Sequence, residues 1–220
     1  AQKVGVVTAK VLNPDGTVDS EFYPLVSGFV GQIAVAADGG FLVGGNFTAA
    51  WSRGTTVKTR NYVARFHPDG TLDNAFDPGV NSTVSAFAFQ PDGKFILGGY
   101  FTRVQPAGAA AGLVRNHVAR FNRNGTLDTD FQLDDGGRVL TSVVQADGKI
   151  VVAGSFTNIG GVKHNAVARL NTDGSVDHGY APDFNGRVYT LAYEASSGKV
   201  IVGGAFTEIG GETRNYVARL

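Results

Sequence analysis

The sequence lacks several features that would narrow its function. It has no cysteine, which excludes disulfides and cysteine-ligated metals but leaves the cellular compartment open. Its 19 basic and 19 acidic residues balance, so no global field attracts nucleic acid or an anionic membrane. No apolar run approaches the length of a membrane span. We therefore predict neither nucleic-acid binding nor membrane insertion.

Glycine is abundant instead, with 31 residues, and much of it lies in a motif that occurs four times. The copies are ADGGFLVGGNFT (37–48), PDGKFILGGYFT (91–102), ADGKIVVAGSFT (146–157) and SSGKVIVGGAFT (196–207). A segment of the form Asn-x-Val-Ala-Arg follows each copy, at 61–65, 116–120, 165–169 and 215–219. The period of roughly 50–55 residues is typical of propellers and solenoids. Residues present in every copy are best explained by architecture, so function is expected where the copies differ.

The second copy indicates how one repeat folds. Two apolar, β-prone runs, 83–90 (strand a) and 94–101 (strand b), flank a Pro-Asp-Gly turn. Residues 117–122 (strand c) and 126–132 (strand d) predict two more strands around an Asn-Gly turn. The sequence therefore predicts an all-β fold, a β-propeller of four-stranded antiparallel blades, with a solenoid as the alternative. The predicted units are 24–77, 78–132, 133–181 and 182–220, with 1–23 as a partial or closing unit.

The hairpin between strands c and d predicts a repeated ion pair. A three-residue type I turn with a glycine bulge places an arginine opposite an aspartate, and such a pair contributes roughly 0.2–1 kcal/mol. We interpret these pairs as structural, with a ring of anion-binding arginines as the alternative. The pairs are Arg65–Asp73, Arg120–Asp128 and Arg169–Asp177.

The ion-pair pattern breaks at both ends of the sequence. Asp19 faces Val11 in its hairpin, and Arg219 has no aspartate after it. We hypothesise that Asp19 and Arg219 pair in a closing blade that mixes both ends, although the strand-like stretch 4–12 then supplies one c strand too many. The alternatives are a piece of a longer propeller and half of a ring completed by a second chain.

The repeat resembles the delta-60 repeat family of bacterial β-propeller proteins. The resemblance covers nearly the whole chain; Gly40, Ser197 and Tyr180 depart from the pattern. It implies a propeller of largely undefined function that occurs in large secreted or surface-anchored proteins, and it carries over no catalytic residue. We therefore expect an extracellular or cell-surface location. The matching residues in the second copy are Asp92, Gly93, Lys94, Gly98, Gly99, Phe101, Thr102, Asn116, Val118, Ala119, Arg120, Asn124, Gly125, Leu127, Asp128 and Phe131.

Metal binding and catalysis find little support. An EF-type calcium loop opens with a carboxylate, but the matching positions of the Asp-Gly turns hold valine or arginine. The carboxylates at 128, 130, 134 and 135 form a better calcium candidate, which we interpret as a solvated rim. The four histidines fall at different repeat positions, without a Ser/His/Asp arrangement. We predict no metal, no cofactor and no catalytic residue. The histidines are His67, His117, His164 and His178.

The copies differ most between strands b and c, where two loops are long and two are short. Strand alternation places these loops on one face and the Asp-Gly turns on the other, and binding residues concentrate on loops. Trp51, the only tryptophan, suits stacking on a sugar or anchoring a protein; the alternative is that it covers a blade edge. The candidate binding residues are Trp51, Arg53, Lys58, Arg60, Arg103, Arg115, His164 and Arg214.

These observations favour a non-enzymatic scaffold or interaction module that binds a protein partner or assembles with itself. A carbohydrate-binding propeller that uses the loop-rich face is one alternative. A propeller hydrolase or lyase is another, because a fold does not dictate a function.

Overall fold

The computed structural model of the chain describes residues 7–8, 12–106, 109–133 and 136–220, with the backbone alone at 7–8. Every regular element in these residues is a β-strand. The described residues contain no helix that is long and apolar enough to cross a membrane. The strands are β1 (Val7–Thr8), β2 (Pro24–Val26), β3 (Phe29–Val35), β4 (Phe41–Asn46), β5 (Ala49–Ser52), β6 (Lys58–Thr59), β7 (Val63–Phe66), β8 (Val84–Phe89), β9 (Phe95–Gly99), β10 (Arg103–Val104), β11 (Leu113–Val114), β12 (Val118–Phe121), β13 (Arg138–Val144), β14 (Ile150–Ser155), β15 (Asn158–Ile159), β16 (Val162–Lys163), β17 (Val167–Leu170), β18 (Val188–Glu194), β19 (Lys199–Gly204), β20 (Glu208–Ile209), β21 (Glu212–Thr213) and β22 (Val217–Arg219).

Four antiparallel sheets follow one another as the blades of a propeller. Blade 1 is β3-β4-β7, blade 2 is β8-β9-β12, blade 3 is β13-β14-β17 and blade 4 is β18-β19-β22. Neighbouring blades share apolar cores: Leu42 and Leu97 join blades 1 and 2, and Ile96 and Val152 join blades 2 and 3. The predicted all-β propeller of four repeats is confirmed.

The predicted fourth strand is much shorter than expected. Instead of a strand over 126–132, the structure has a single bridge between Phe121 and Leu127, and the same holds in repeats 1 and 3. The predicted register is nevertheless present, since Asp128 donates its N–H to the carbonyl of Arg120 at 2.9 Å. Beyond this point Asp128 Oδ1 accepts the N–H of Asp130 at 3.2 Å, which turns the chain out of the ladder. The segment then carries Phe131 away from its own blade.

The aromatic residue that ends each repeat fills the junction with the next blade. Phe76 of repeat 1 is fully buried, and its ring centroid lies 5.8 Å from that of Phe95 and 6.5 Å from that of Phe121, both in blade 2. Burial of such a ring is a large apolar contribution to folding. The residues that end the other repeats lie in the cores at blades 1, 3 and 4: Phe22, Phe131 and Tyr180.

The arginine of strand c ties this aromatic to two repeats at once. Arg120 Nε donates to Asp128 Oδ2 at 2.9 Å, and its guanidinium carbon lies 4.8 Å from the centroid of Phe131. Its Nη1 donates to the carbonyl of Thr172, in the turn of the next repeat, at 3.1 Å. Lys94 Nζ gives Asp128 Oδ2 a second donor at 2.8 Å. A buried carboxylate with two cationic partners is well compensated, so the group holds the hairpin and the junction together.

The same group occurs in the flanking repeats. Arg65 Nε lies 2.7 Å from Asp73 Oδ2 in repeat 1, and Arg169 Nε lies 2.9 Å from Asp177 Oδ2 in repeat 3. Lys149 Nζ adds a bond to Asp177 at 2.7 Å, whereas repeat 1 has Gly40 in place of the lysine. The hydrogen bond from Lys149 is the largest effect that lowers the pKa of Asp177, from an ordinary 3.8 to about 2.

The glycine of the c–d turn also belongs to the junction. Gly125 has a φ of +86°, and a Cβ there would lie 2.8 Å from a ring carbon of Phe76 in the preceding repeat. Gly16 occupies the same turn position with a φ of +84°, but a Cβ there would meet no described atom within 4 Å. Both glycines therefore have a left-handed backbone, but only Gly125 has an aromatic ring packed against it.

We predict that Gly125→Ala destabilises the protein more than Gly16→Ala. Both substitutions force alanine into a left-handed conformation, which costs about 1–2 kcal/mol. Only Gly125→Ala also overpacks an aromatic ring, which adds about 1–3 kcal/mol. Chemical denaturation of the two variants measures the difference in free energy of unfolding. Equal losses would contradict the packing role of the turn glycine.

We also predict that Asp177 contributes to acid unfolding. Its pKa of about 2 lies below the ordinary 3.8, so the folded protein binds the proton less tightly than the unfolded chain. The stability that Asp177 provides is therefore complete above the unfolded pKa and is lost as the pH falls through the folded one. Asp177→Asn should flatten the pH dependence of the free energy of unfolding in that window. An unchanged slope would show that the carboxyl carries no linkage.

Candidate functional site

The first predicted binding loop folds into a sheet rather than an open loop. Strand β5 lies between β2 and β6, and Trp51 in β5 stands opposite Leu25 in β2. The Trp51 side chain is half-buried, while the guanidinium of Arg53 covers the ring of Tyr23 at 5.4 Å and Lys58 is exposed in β6. Trp51 therefore lies in a strand rather than in an open loop, because β2 offers it an edge to pair with, and its role in binding a sugar or a protein stays a prediction.

Four of the candidate binding residues share one repeat position, directly before the asparagine of strand c. Two of them are buried: Arg60 Nη2 donates to the carbonyl of Asn74 at 3.0 Å, and Arg115 Nη2 donates to that of Thr129 at 3.4 Å. They hold the segment after strand d and do not offer a free guanidinium to a ligand, which corrects their predicted role. The exposed members of the predicted set are Arg53, Lys58, Arg103 and Arg214.

His164 takes the place of this arginine in repeat 3, and its side chain is buried without hydrogen bonds. It is 3 % exposed, and neither ring nitrogen has a hydrogen-bond partner. Burial, and then the nearby charge of His178, lower the pKa of His164, so the imidazole is held neutral. The buried hydroxyl of Tyr180 also lacks a partner, and burial raises its pKa. Sequence reasoning singled out His164 as a binding residue but did not indicate that it is buried.

The carboxylates of the Asp-Gly turns are engaged within the hairpins. Asp69 Oδ1 accepts the N–H of Thr71 at 2.9 Å and its hydroxyl at 2.7 Å, and the turns at Asp15 and Asp173 repeat this arrangement. Of the proposed carboxylate cluster, Asp128 binds two cations, and residues 134 and 135 lie outside the described residues. The described part of the chain holds no group of three or more His, Cys, Asp or Glu side chains placed to bind a metal.

Blade 4 presents an uncovered apolar face. Ile201 of β19 stands opposite Arg219 of β22, and Val217 lies on the same side of the sheet. Ile201 is 40 % exposed and Val217 is 64 % exposed. Their counterparts in blade 3, Val151 and Val167, are fully buried because blade 4 covers them. The outer face of blade 4 thus repeats a surface that the chain elsewhere buries.

Blade 1 is only partly covered at the opposite end of the series. Phe22 and Val26 pack on the face that points away from blade 2, whereas Ile33 and Val35, on the same face, remain exposed. The outer faces of blades 1 and 4 therefore correspond to the two sides of the junction that joins neighbouring blades within the chain.

The predicted pair between Asp19 and Arg219 is not formed. Arg219 Nη1 lies 3.7 Å from Glu194 Oε2 of its own blade, and Asp19 Oδ1 accepts the N–H of Glu21 at 2.9 Å. No ion pair between described residues joins Asp19 to Arg219. The hypothesis of a closing blade within one chain is wrong for this structure, because blade 4 carries its outer face uncovered.

Comparison with known proteins gives the fold family. A family model described as "Domain of unknown function (DUF5122) beta-propeller" matches residues 36–76, 90–131, 145–180 and 195–220, about two thirds of the chain. Each segment falls within one of the four predicted units. No curated protein sequence matches the chain.

Two solved structures of similar fold are distant from the chain in sequence. The gluconolactonase XC5397 from Xanthomonas campestris is 17 % identical with a TM-score of 0.50, and the match covers 89 % of this chain and 61 % of that protein. The chain thus spans less than two thirds of the length of this relative. The WD40 β-propeller domain of Doa1 is 14 % identical with a TM-score of 0.38, over 96 % of this chain and 84 % of that domain. At these identities the likeness concerns the fold alone. By the family match over most of its length, the chain belongs to the DUF5122 β-propeller family.

Proposed function

We propose that this protein is a non-enzymatic extracellular or cell-surface propeller module that assembles through its end blades. The observation that carries the proposal is the outer face of blade 4, where Ile201 and Val217 are exposed although their counterparts in blade 3 are buried. Exposed apolar surface next to a β-sheet favours association. The resemblance to delta-60 repeat proteins supports a surface location.

The occupant of this face is a second copy of the chain. The junction that joins blades within the chain needs only two complementary faces, and the chain carries one at each end, around Ile201 in blade 4 and Ile33 in blade 1. Contact between unlike faces is head-to-tail, so it closes into a ring or continues as a filament.

Charge complementarity supports the same arrangement. Within the chain, strand-c arginines of three repeats pair with aspartates eight residues later. Arg219 is the fourth such arginine, and Asp19 occupies the repeat position of these aspartates. In a head-to-tail contact Arg219 of one copy meets Asp19 of the next.

The carboxylates of the repeats suit a structural role better than a catalytic one. Asp128 and Asp177 are each neutralised by an arginine and a lysine, whereas a general acid needs a raised pKa and a catalytic base needs access to substrate. The gluconolactonase relative is an enzyme, but at 17 % identity its activity does not extend to this chain.

We predict that the 220-residue chain forms dimers or higher species, measured as molar mass by light scattering after size exclusion across a range of protein concentrations. Ile201→Glu and Val217→Glu should reduce the mass to that of one chain, because a charge replaces the apolar contact. Leu113→Glu and Val114→Glu are the matched controls, since these residues are 43 % and 55 % exposed but lie in β11 of repeat 2.

Charge reversal tests the head-to-tail geometry. Arg219→Asp and Asp19→Arg should each weaken assembly, and an equimolar mixture of the two variants should restore it. A mass of one chain at every concentration would overturn the proposal. If the outer face of blade 4 were covered only in a longer polypeptide that includes flanking sequence, its occupant would be a further blade of the same polypeptide.

A further inference from the structure

The junction between blades 1 and 2 contains a cavity on the face of the Asp-Gly turns. Its volume is about 380 Å³, and its wall includes Gly40, Asp73 and Gln90. It lies at the other end of the chain from the exposed face of blade 4. A difference between repeat 1 and repeats 2 and 3 explains why the cavity forms in repeat 1.

The cavity lies where repeats 2 and 3 place a lysine. Lys94 Nζ and Lys149 Nζ reach the aspartates of their own repeats at 2.8 and 2.7 Å, and each aspartate also binds an arginine. Repeat 1 has Gly40 at this position. Its backbone is held in the same way, since Gly40 donates its N–H to Asp38 at 3.0 Å and Lys94 donates to Asp92 at 2.9 Å. Only the cationic side chain is missing.

The groups that remain lack one cation. Asp73, which is buried, accepts hydrogen bonds from Arg65 and from one backbone N–H, and Arg65 is its one cationic partner among the described residues, whereas its counterparts bind two cations. Repeat 1 also has Ala36 in the cavity wall where repeats 2 and 3 have Gln90 and Gln145. The cavity therefore favours a cationic ligand that donates to Asp73.

The remaining walls set the shape and charge of that ligand. The lining residues include Asp38, Asp73 and Asp92 against Arg65 and Arg123, together with His67. With histidine counted as neutral, their formal charges sum to −1. Apolar residues line the rest of the cavity and match the stem of an alkyl chain. They include Phe89 and Phe95 of the core between blades 1 and 2, with Pro68 and Pro91.

We propose that this cavity binds a primary alkylammonium group, which takes the place of the lysine that repeat 1 lacks. The ammonium donates to Asp73, and its carbon chain lies along the apolar wall. The group comes either from a free small amine or from a lysine side chain of a peptide. Both sources present the same three N–H donors on a flexible stem.

Titration with n-butylammonium chloride at constant ionic strength, followed by amide chemical shifts in NMR, tests the proposal. Saturable shifts are expected around Gly40, Asp73 and Gln90, with none from n-butanol, which has the same chain without the charge. Nα-acetyl-lysine amide is the second probe: binding equal to that of n-butylammonium indicates a peptide lysine as the source, and weaker binding indicates a free amine.

Repeat-swap variants provide the matched controls. Gly40→Lys fills the cavity from within and should raise the Kd for n-butylammonium at least tenfold, and Asp73→Asn, which removes the negative charge that the ammonium meets, should raise it by about tenfold. Lys94→Gly should create a second site, with new shifts around Asp128. Absence of saturable shifts, equal shifts from n-butanol or sodium chloride, or unchanged affinity in both Gly40→Lys and Asp73→Asn would overturn the assignment.

Discussion

The contact of one arginine with two successive repeats is the interaction on which the rest of the structure depends. Arg120 holds the aspartate of its own hairpin, covers the aromatic ring that ends its repeat and donates to the turn of the next repeat. Arg65 does the same with Asp73, Phe76 and the carbonyl of Arg123. Because each repeat is completed only by its neighbour, stability is a property of adjacent pairs rather than of single blades.

This dependence determines where function can lie. A residue of a blade junction cannot change without loss of a contact in two repeats. The residues that recur in every repeat therefore serve the fold. Gly40 and His164 are two positions where a longer side chain of the other repeats is replaced by a smaller one. Gly40 opens a charged cavity, and His164 leaves a buried imidazole without partners. Each of these two sites therefore arises because a side chain present in the other repeats is missing, not because new functional residues were added.

The sequence predicted the features that come from local periodicity and turn chemistry. The blade series and the hairpin register follow from it; Asp128, for example, donates its N–H to the carbonyl of Arg120 at 2.9 Å. It did not predict the features that tertiary contacts decide. Trp51 became a strand residue because β2 lies beside it, and the d segment left its ladder to fill a junction. The residue after the strand-c asparagine is left-handed in all four copies although none is glycine, because its N–H must reach the carbonyl of the preceding Phe-Thr pair: Tyr62, His117, Ala166 and Tyr216.

The two vacancies differ in chemistry and therefore call for different occupants. The face of blade 4 carries the exposed Ile201 and Val217, with the Arg219–Glu194 pair beside them, so it suits another sheet of the same kind. The cavity at Gly40 is small and rich in acceptors, and a second sheet could not enter it without displacing the turn of blade 2. The cavity lies in the junction between blades 1 and 2, whereas the proposed assembly uses Ile201 and Val217 of blade 4 and the outer face of blade 1 around Ile33. The same frame thus offers a proposed assembly surface at its ends and a proposed site for a small cation within a junction.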